Sequence, residues 1–182
     1  MPESSRVRLA PLDELDRTAW RRIREHFRDE EISHLNGTPP TRLPVWLLRV
    51  MLKADARRPD RHTFGILDES GAFIGLTELY DIHQGTATLG IIIGEKSHWN
   101  RGYGPEAISA LLRVAFRDYD LKQVRLSTFE DNLRAQAAFR KVGFRELQRT
   151  TALGDKGRVS IWMGLPRERW LSHLQEARQS TA

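Results

Sequence analysis

The chain has 182 residues, 40% hydrophobic and 29% charged, with 13 glycines and 8 prolines; it can build one domain with its own core and is neither disordered nor collagen-like in composition. It has no cysteine, which removes disulfide frameworks, thiolate metal sites and cysteine nucleophiles together and suits a reducing compartment, the cytoplasm. Lysine and arginine number 29 against 24 acids, a net charge of +5. The arginine clusters at Arg21, Arg22 and Arg24 and at Arg57, Arg58 and Arg61 are interleaved with Glu25, Asp29, Asp55 and Asp60, so they read as solvated helix faces rather than a nucleic-acid patch. No run approaches the ~18 apolar residues of a membrane span, and Met1 to Arg6 has no apolar signal core, so no membrane partner is expected.

Val7-Arg8-Leu9 alternates as a first strand. Pro11-Leu12-Asp13-Glu14 opens a helix in which Leu12, Leu15, Ala19, Ile23 and Phe27 recur three and four residues apart. His34 to Thr41 is rich in breakers and reads as a loop, and a second helix runs through Val45, Leu48, Met51 and Leu52 to Arg57-Arg58-Pro59. From His62 the period changes to two. Thr63 to Leu67, a turn at Asp68-Glu69-Ser70-Gly71, and Ala72 to Tyr80 form a hairpin; Asp81 to Gly85 turns the chain again, and Thr86 to Ile93 has the β-branched density of a strand covered on both faces. Pro105 to Asp118 reads as a helix with Ile108, Leu111, Leu112, Ala115 and Phe116 on one face, Lys122 to Phe129 as a strand, and Asn132 to Lys141 as a helix stopped by Gly143. Phe144 to Thr150 and Arg158 to Met163 form a last hairpin around Gly154-Asp155-Lys156-Gly157. Beyond Trp170 the pattern is a fraying helix, and residues 1–5 and about 173–182 read as tails of a single domain spanning 1–182.

The most informative stretch is Gly90 to Ala107, a buried strand leading into a loop with Gly102 and Gly104, after which Pro105 begins a helix. Glycines there let the main chain approach a ligand without Cβ interference, and the amides of the helix start, with the positive end of its dipole, suit an anion. Arg101 can add a charge-assisted contact. The ligand this predicts is a pyrophosphate, although two glycines before a helix also make an ordinary tight turn. A dinucleotide fold needs a third glycine in a parallel βαβ unit and a Walker loop needs Gly-Lys-Ser/Thr; neither occurs. Six histidines without paired spacing suggest no metal site, and Ser127 and Thr128 lack a hydrolase context.

Through Ile91-Ile92-Ile93-Gly94-Glu95-Lys96-Ser97-His98-Trp99-Asn100-Arg101-Gly102-Tyr103-Gly104-Pro105-Glu106-Ala107, Asp131-Asn132-Leu133-Arg134-Ala135, Phe139-Arg140-Lys141-Val142-Gly143-Phe144 and Phe73-Ile74-Gly75-Leu76, the chain resembles the GNAT superfamily of N-acetyltransferases, in the branch of ribosomal-protein, spermidine and aminoglycoside acetyltransferases. The resemblance extends from Val7 to Met163. It implies an α/β (mixed α+β) fold with a central mixed, mostly antiparallel sheet of six to seven strands flanked by helices, and a splayed strand pair that admits acetyl-coenzyme A. It also implies that the main chain of Ile91, Ile92 and Ile93 pairs with the pantetheine amides and that Arg101, Gly102, Tyr103, Gly104, Pro105, Glu106 and Ala107 hold the pyrophosphate. Asn132, Ala135 and Phe139 would flank the coenzyme, with Asn132 also placed to cap a helix.

The activity so implied is transfer of acetyl from acetyl-coenzyme A directly to a primary amine, on a protein N-terminus, a polyamine or a small molecule, without a metal. Members of this branch are often homodimers. The chain departs from the family at two places: Phe139 stands where a tyrosine often serves as general acid, and Thr88 where a glutamate commonly precedes Leu-Gly. The base then falls to Glu78 on the third strand or His83 at the following turn, with Asp81 behind them. Glu78 is a useful base if partial burial raises its pKa, and an ordinary strand residue if it points outward. Tyr103 is a substitute candidate for the acid. Trp46 and Trp99 either wall the acceptor site or pack, and acceptor choice is expected from Ser33 to Thr41 and Thr150 to Lys156. The alternative, prompted by Phe139 and Thr88, is a non-catalytic coenzyme A-binding module.

Overall fold

The computed structural model describes residues 5–151 and 157–179. Seven strands, β1 (Arg8–Pro11), β2 (His62–Leu67), β3 (Phe73–His83), β4 (Thr86–Ile93), β5 (Gln123–Phe129), β6 (Arg145–Thr151) and β7 (Val159–Pro166), form one sheet in the order β1-β2-β3-β4-β5-β7-β6. Neighbours are antiparallel except β4 and β5, which are joined by a helical crossover as a parallel pair must be. That pair is short. Thr86, Ala87 and Thr88 face Gln123, Val124 and Arg125, after which β4 continues through Ile93 on β3 alone while β5 stays on β7 as far as Phe129 opposite Ser160. The two strands therefore part after Thr88.

Among the described residues six α-helices flank the sheet: α1 (Arg17–Arg28), α2 (Glu30–Asn36), α3 (Val45–Asp55), α4 (Tyr103–Arg113), α5 (Leu133–Val142) and α6 (Arg167–Gln179). The first expected helix is broken. Leu12–Glu14 makes a single 3-10 turn, and Asp16 then starts α1 by accepting from the Ala19 amide at 2.7 Å. A further break comes at Asp29, which ends α1 and starts α2 by accepting from the Ile32 amide at 3.0 Å. Three helices thus precede β2 instead of two, and the first three residues of the expected loop, His34 to Asn36, end α2, which closes at Gly37 with φ +73°. α4 starts at Tyr103, two residues before Pro105, and its end passes into a π-helical turn over Val114–Asp118. α6 begins at Arg167 and holds through Gln179, in place of the expected fraying end. Most of the Gly154 to Gly157 turn lies outside the described residues.

Alternation sorts the sheet's faces. Leu79, Leu89, Val124, Leu126, Ile161 and Met163 pack with Ile108, Leu111 and Leu112 of α4 and Phe139 and Val142 of α5. Val7, Ile66 and Ile74 meet Tyr103 and Ala107 at the other end of α4. The opposite face of β2 and β3 is covered by Trp20 and Ile23 of α1 with Val45 and Leu52 of α3. Among the described residues no helix is long and apolar enough to cross a membrane, and no group of three or more His, Asp or Glu is placed to hold a metal.

Candidate active site

Where β4 leaves β5, a groove of about 390 Å³ opens. One wall is Ile91, Ile92 and Ile93 of β4, the other Asn132, Arg134, Ala135, Ala138 and Phe139 of α5; Ile32, Leu35 and Asn36 of α2 close one side, and the loop through His98, Trp99, Gly102, Gly104 and Pro105 closes the end. Strand β4 exposes main chain here because its neighbour on that side has been lost, and an unpaired strand accepts an amide-bearing chain as an added strand. Across the groove Trp99 is fixed by its indole N–H donating to the Ile93 carbonyl at 2.7 Å, and the Arg134 guanidinium lies 3.4 Å from its ring centroid.

The loop's two glycines do different work. Gly102 has φ +90°, a conformation that costs any residue with a Cβ. A Cβ on Gly104 would meet only Ala138 Cβ at 3.9 Å, so its missing side chain leaves free space between α4 and α5. Not every amide from Arg101 to Ala107 can serve an anion. Pro105 has none, and the Glu106 N–H donates to the Gly102 carbonyl at 3.2 Å within the helix; of these seven residues Gly102, Gly104 and Pro105 line the groove. Tyr103 and Ala107 turn their side chains into the core, Glu106 pairs with Arg6, and Arg101 is exposed with Nη1 3.4 Å from the Ser97 carbonyl. Asn132 Oδ1 caps α5 by accepting from Ala135 N at 3.1 Å, which leaves its amide nitrogen for the groove it lines.

Glu78 sits on the face of the sheet that carries Gly90, its register partner. Its carboxylate leans across β4: a Cβ on Gly90 would lie 3.1 Å from both Cγ and Oε1 of Glu78. Oε2 is 3.2 Å from Arg61 Nη1 and 3.4 Å from the Thr63 hydroxyl, and Arg61 also pairs with Asp55 and lies over the Tyr80 ring. Burial pushes the Glu78 pKa up, partly opposed by the Arg61 charge. His83 is elsewhere. It lies at the outer end of β3 opposite Thr86, exposed, and Glu78 is five residues back toward the groove.

Residues 6–145 match the acetyltransferase (GNAT) domain family. The chain belongs to the GNAT acetyltransferases. It is an acetyl-coenzyme A-dependent N-acetyltransferase. Among similar proteins, an N-acetyltransferase 9-like protein of Caenorhabditis briggsae is 28% identical over 161 residues, covering 81% of this chain and 78% of that one. Spermidine N-acetyltransferase of Vibrio cholerae, solved with CoA and spermine, superposes with a TM-score of 0.80 at 20% identity, over 92% of this chain and 99% of that one. A probable acetyltransferase of known structure gives 0.73 at 19% identity, over 90% and 93%.

The departures from the GNAT pattern have structural counterparts. Thr88 is buried on the same face as Glu78 and Gly90, one alternation along β4, so a carboxylate absent from position 88 is present across the strand pair. Phe139 is buried with its ring edge toward Phe144, centroids 6.0 Å apart. Tyr103 is no replacement, because its hydroxyl donates to both oxygens of Glu69, at 2.9 and 3.0 Å. Sequence reasoning missed Arg61, Thr63 and the role of Gly90. Arg61 in particular reads in the sequence as one of a solvated cluster, yet its side chain is only 22% exposed. Trp46 is 67% exposed on α3, whereas Trp99 lines the groove.

Proposed function

We propose that this GNAT acetyltransferase acetylates the primary amine of a small cationic acceptor, with Glu78 as general base and polyamines as the first acceptors to test. The groove fits the donor. Ile91, Ile92 and Ile93 offer main chain to pantetheine amides, the Arg101 to Gly104 amides face a pyrophosphate, and the space left by Gly104 admits it. The half-buried Glu78 carboxylate overhanging Gly90, at the point where β4 departs from β5, carries the acceptor side of the reading. Asp55 and Asp81 add negative charge around Glu78, against an Arg61 charge that acts on it more strongly than either, and carboxylates gathered at a site attract a cationic amine. The similarity to a spermidine acetyltransferase points the same way.

The chemistry then divides simply. Glu78 takes a proton from the acceptor ammonium, so that the free amine attacks the thioester carbonyl; the N–C bond forms, the nitrogen gives up one further proton to water, the C–S bond breaks, and the thiolate leaves. Phe139 has no proton to give, so the leaving sulfur takes its proton from water. The enzyme is read as a single domain over 1–182 working in the cytoplasm, in line with a chain that carries no cysteine. The deciding experiment is calorimetry with coenzyme A followed by acetyl transfer assays over spermidine, aminoglycosides, free amino acids and peptides. Turnover confined to peptides with free N-termini would refute the small-amine reading, and coenzyme binding without turnover of any amine would favour a binding module.

A further inference from the structure

We propose that the β2–β3 turn at Asp68 and Glu69 is a positioning device for the coenzyme loop, holding the Gly102 to Gly104 bend in its anion-binding shape before the coenzyme arrives. This rests on the coenzyme reading of the groove. The loop needs such support. Asn100 holds φ +59°, a left-handed conformation that costs a residue with a Cβ, and Gly102, at φ +90°, is a glycine that many other conformations would suit equally.

Two adjacent carboxylates on one turn grip His98, ahead of the bend, and Tyr103, within it. Asp68 Oδ2 lies 3.1 Å from His98 Nε2, and Glu69 accepts from the Tyr103 hydroxyl with both oxygens. The His98 and Tyr103 rings then meet edge to face at 4.5 Å, which joins the two tethers. The turn is itself rigid. Asp68 Oδ1 accepts from the Ser70 and Ala72 amides at 2.9 and 3.0 Å, and the hairpin closes through Asp68 N to Ala72 O at 2.9 Å. Glu69 takes no part in that closure; its carboxylate is directed to the loop. Arg6 adds a third hold, its Nη2 donating to the Arg101 carbonyl at 3.1 Å and its guanidinium lying 4.6 Å over the Tyr103 ring. A loop shaped in advance binds its ligand without an ordering cost, so loss of the tethers should appear in coenzyme affinity.

The test compares coenzyme A with pantetheine, which lacks the pyrophosphate, by calorimetry on the wild type and on Asp68→Asn/Glu69→Ala. The asparagine substitution keeps the oxygen that closes the turn. Coenzyme A should bind about tenfold more weakly to the double variant and pantetheine within about twofold of wild type, while Glu69→Gln, which keeps an acceptor for Tyr103, should restore most of the loss. Unchanged coenzyme A affinity, or equal loss for both ligands, overturns the proposal. A wild type that binds the two ligands equally overturns the coenzyme reading, and the tether with it. Should the double variant fail to fold, Glu69→Ala alone, at an exposed position, decides by the same comparison.

Discussion

The Glu78 carboxylate lies over Gly90, close enough that a methyl group on Gly90 would touch its Cγ and Oε1 at 3.1 Å. A glycine on β4 thus lets a β3 side chain lean across that strand, and Arg61, at 3.2 Å, pairs with it there. Burial raises the Glu78 pKa, Arg61 lowers it, and Asp55 and Asp81 raise it. A base works deprotonated, so kcat/KM should fall as pH drops through a value above the ordinary glutamate range. Glu78→Gln should remove that limb and cost about 100-fold in kcat. Arg61→Gln removes the one opposing charge and should move the limb to higher pH, with Arg61→Lys closer to wild type. A limb that stays in place in Arg61→Gln would show that another group is the base.

Gly102 and Gly104 should respond oppositely to substitution. Gly102→Ala forces a Cβ into φ +90° and within 2.9 Å of Arg6 Nη2, so it should destabilise the fold by about 1 kcal/mol, a drop in Tm of roughly 2–4 °C for a chain of this size. A Cβ at position 104 meets only Ala138 Cβ at 3.9 Å, so Gly104→Val should fold normally, yet fill space meant for the coenzyme and weaken its binding at least about tenfold. Thermal melts and coenzyme titrations on the two variants should rank them in opposite order. Similar rankings would mean that both glycines serve only the turn.

What the sequence made legible was local. The strands from Thr63 to Ile93, the glycine loop and the Asn132 cap each depend on neighbours a few residues away, and their patterns survive into the fold. The split between α1 and α2 was hidden because Asp29 acts as cap for both helices, and its acidic run with Glu30 and Glu31 reads equally as a charged helix end. Contacts across the sheet left no local trace. Arg61 finds Glu78 17 residues away and Tyr103 finds Glu69 34 residues away, and only the assembled fold creates those meetings. Gly90 looked like part of an apolar run; its purpose depends on a side chain of the adjacent strand.

Phe139 sets a prediction about the leaving group. Its ring lines the groove and is buried against Phe144, at the place where the family often carries a tyrosine. Phe139→Tyr adds one hydroxyl to an otherwise unchanged shape and should raise kcat by roughly tenfold, below the full effect of a well-placed acid, with KM for acetyl-coenzyme A unchanged. It should also introduce an alkaline decline in kcat as the new phenol ionises. Steady-state kinetics across pH decide the matter. A variant with unaltered kcat and no such decline would show that water already protonates the sulfur fast enough.

His26 makes stability depend on pH. Its ring is buried against Phe73, centroids 5.8 Å apart at 20°, and it presses on Gly94, where a Cβ would fall 2.0 Å from Nδ1. Burial lowers its pKa and Arg22 lowers it further, while Glu95, Glu25 and Asp29 oppose the shift without reversing it. The unfolded chain therefore binds a proton at about pH 6.5 that the folded chain refuses until lower pH, and stability must fall as pH drops through that interval. His62, stacked on Tyr119 at 4.1 Å, is lowered by its own burial and adds to the same decline. Thermal melts at a series of pH values should show Tm falling below about pH 6.5, and His26→Phe, which keeps the stacking ring and removes the proton site, should flatten most of that slope. An equal slope in wild type and variant would mean that the ring is hydrated or paired when protonated.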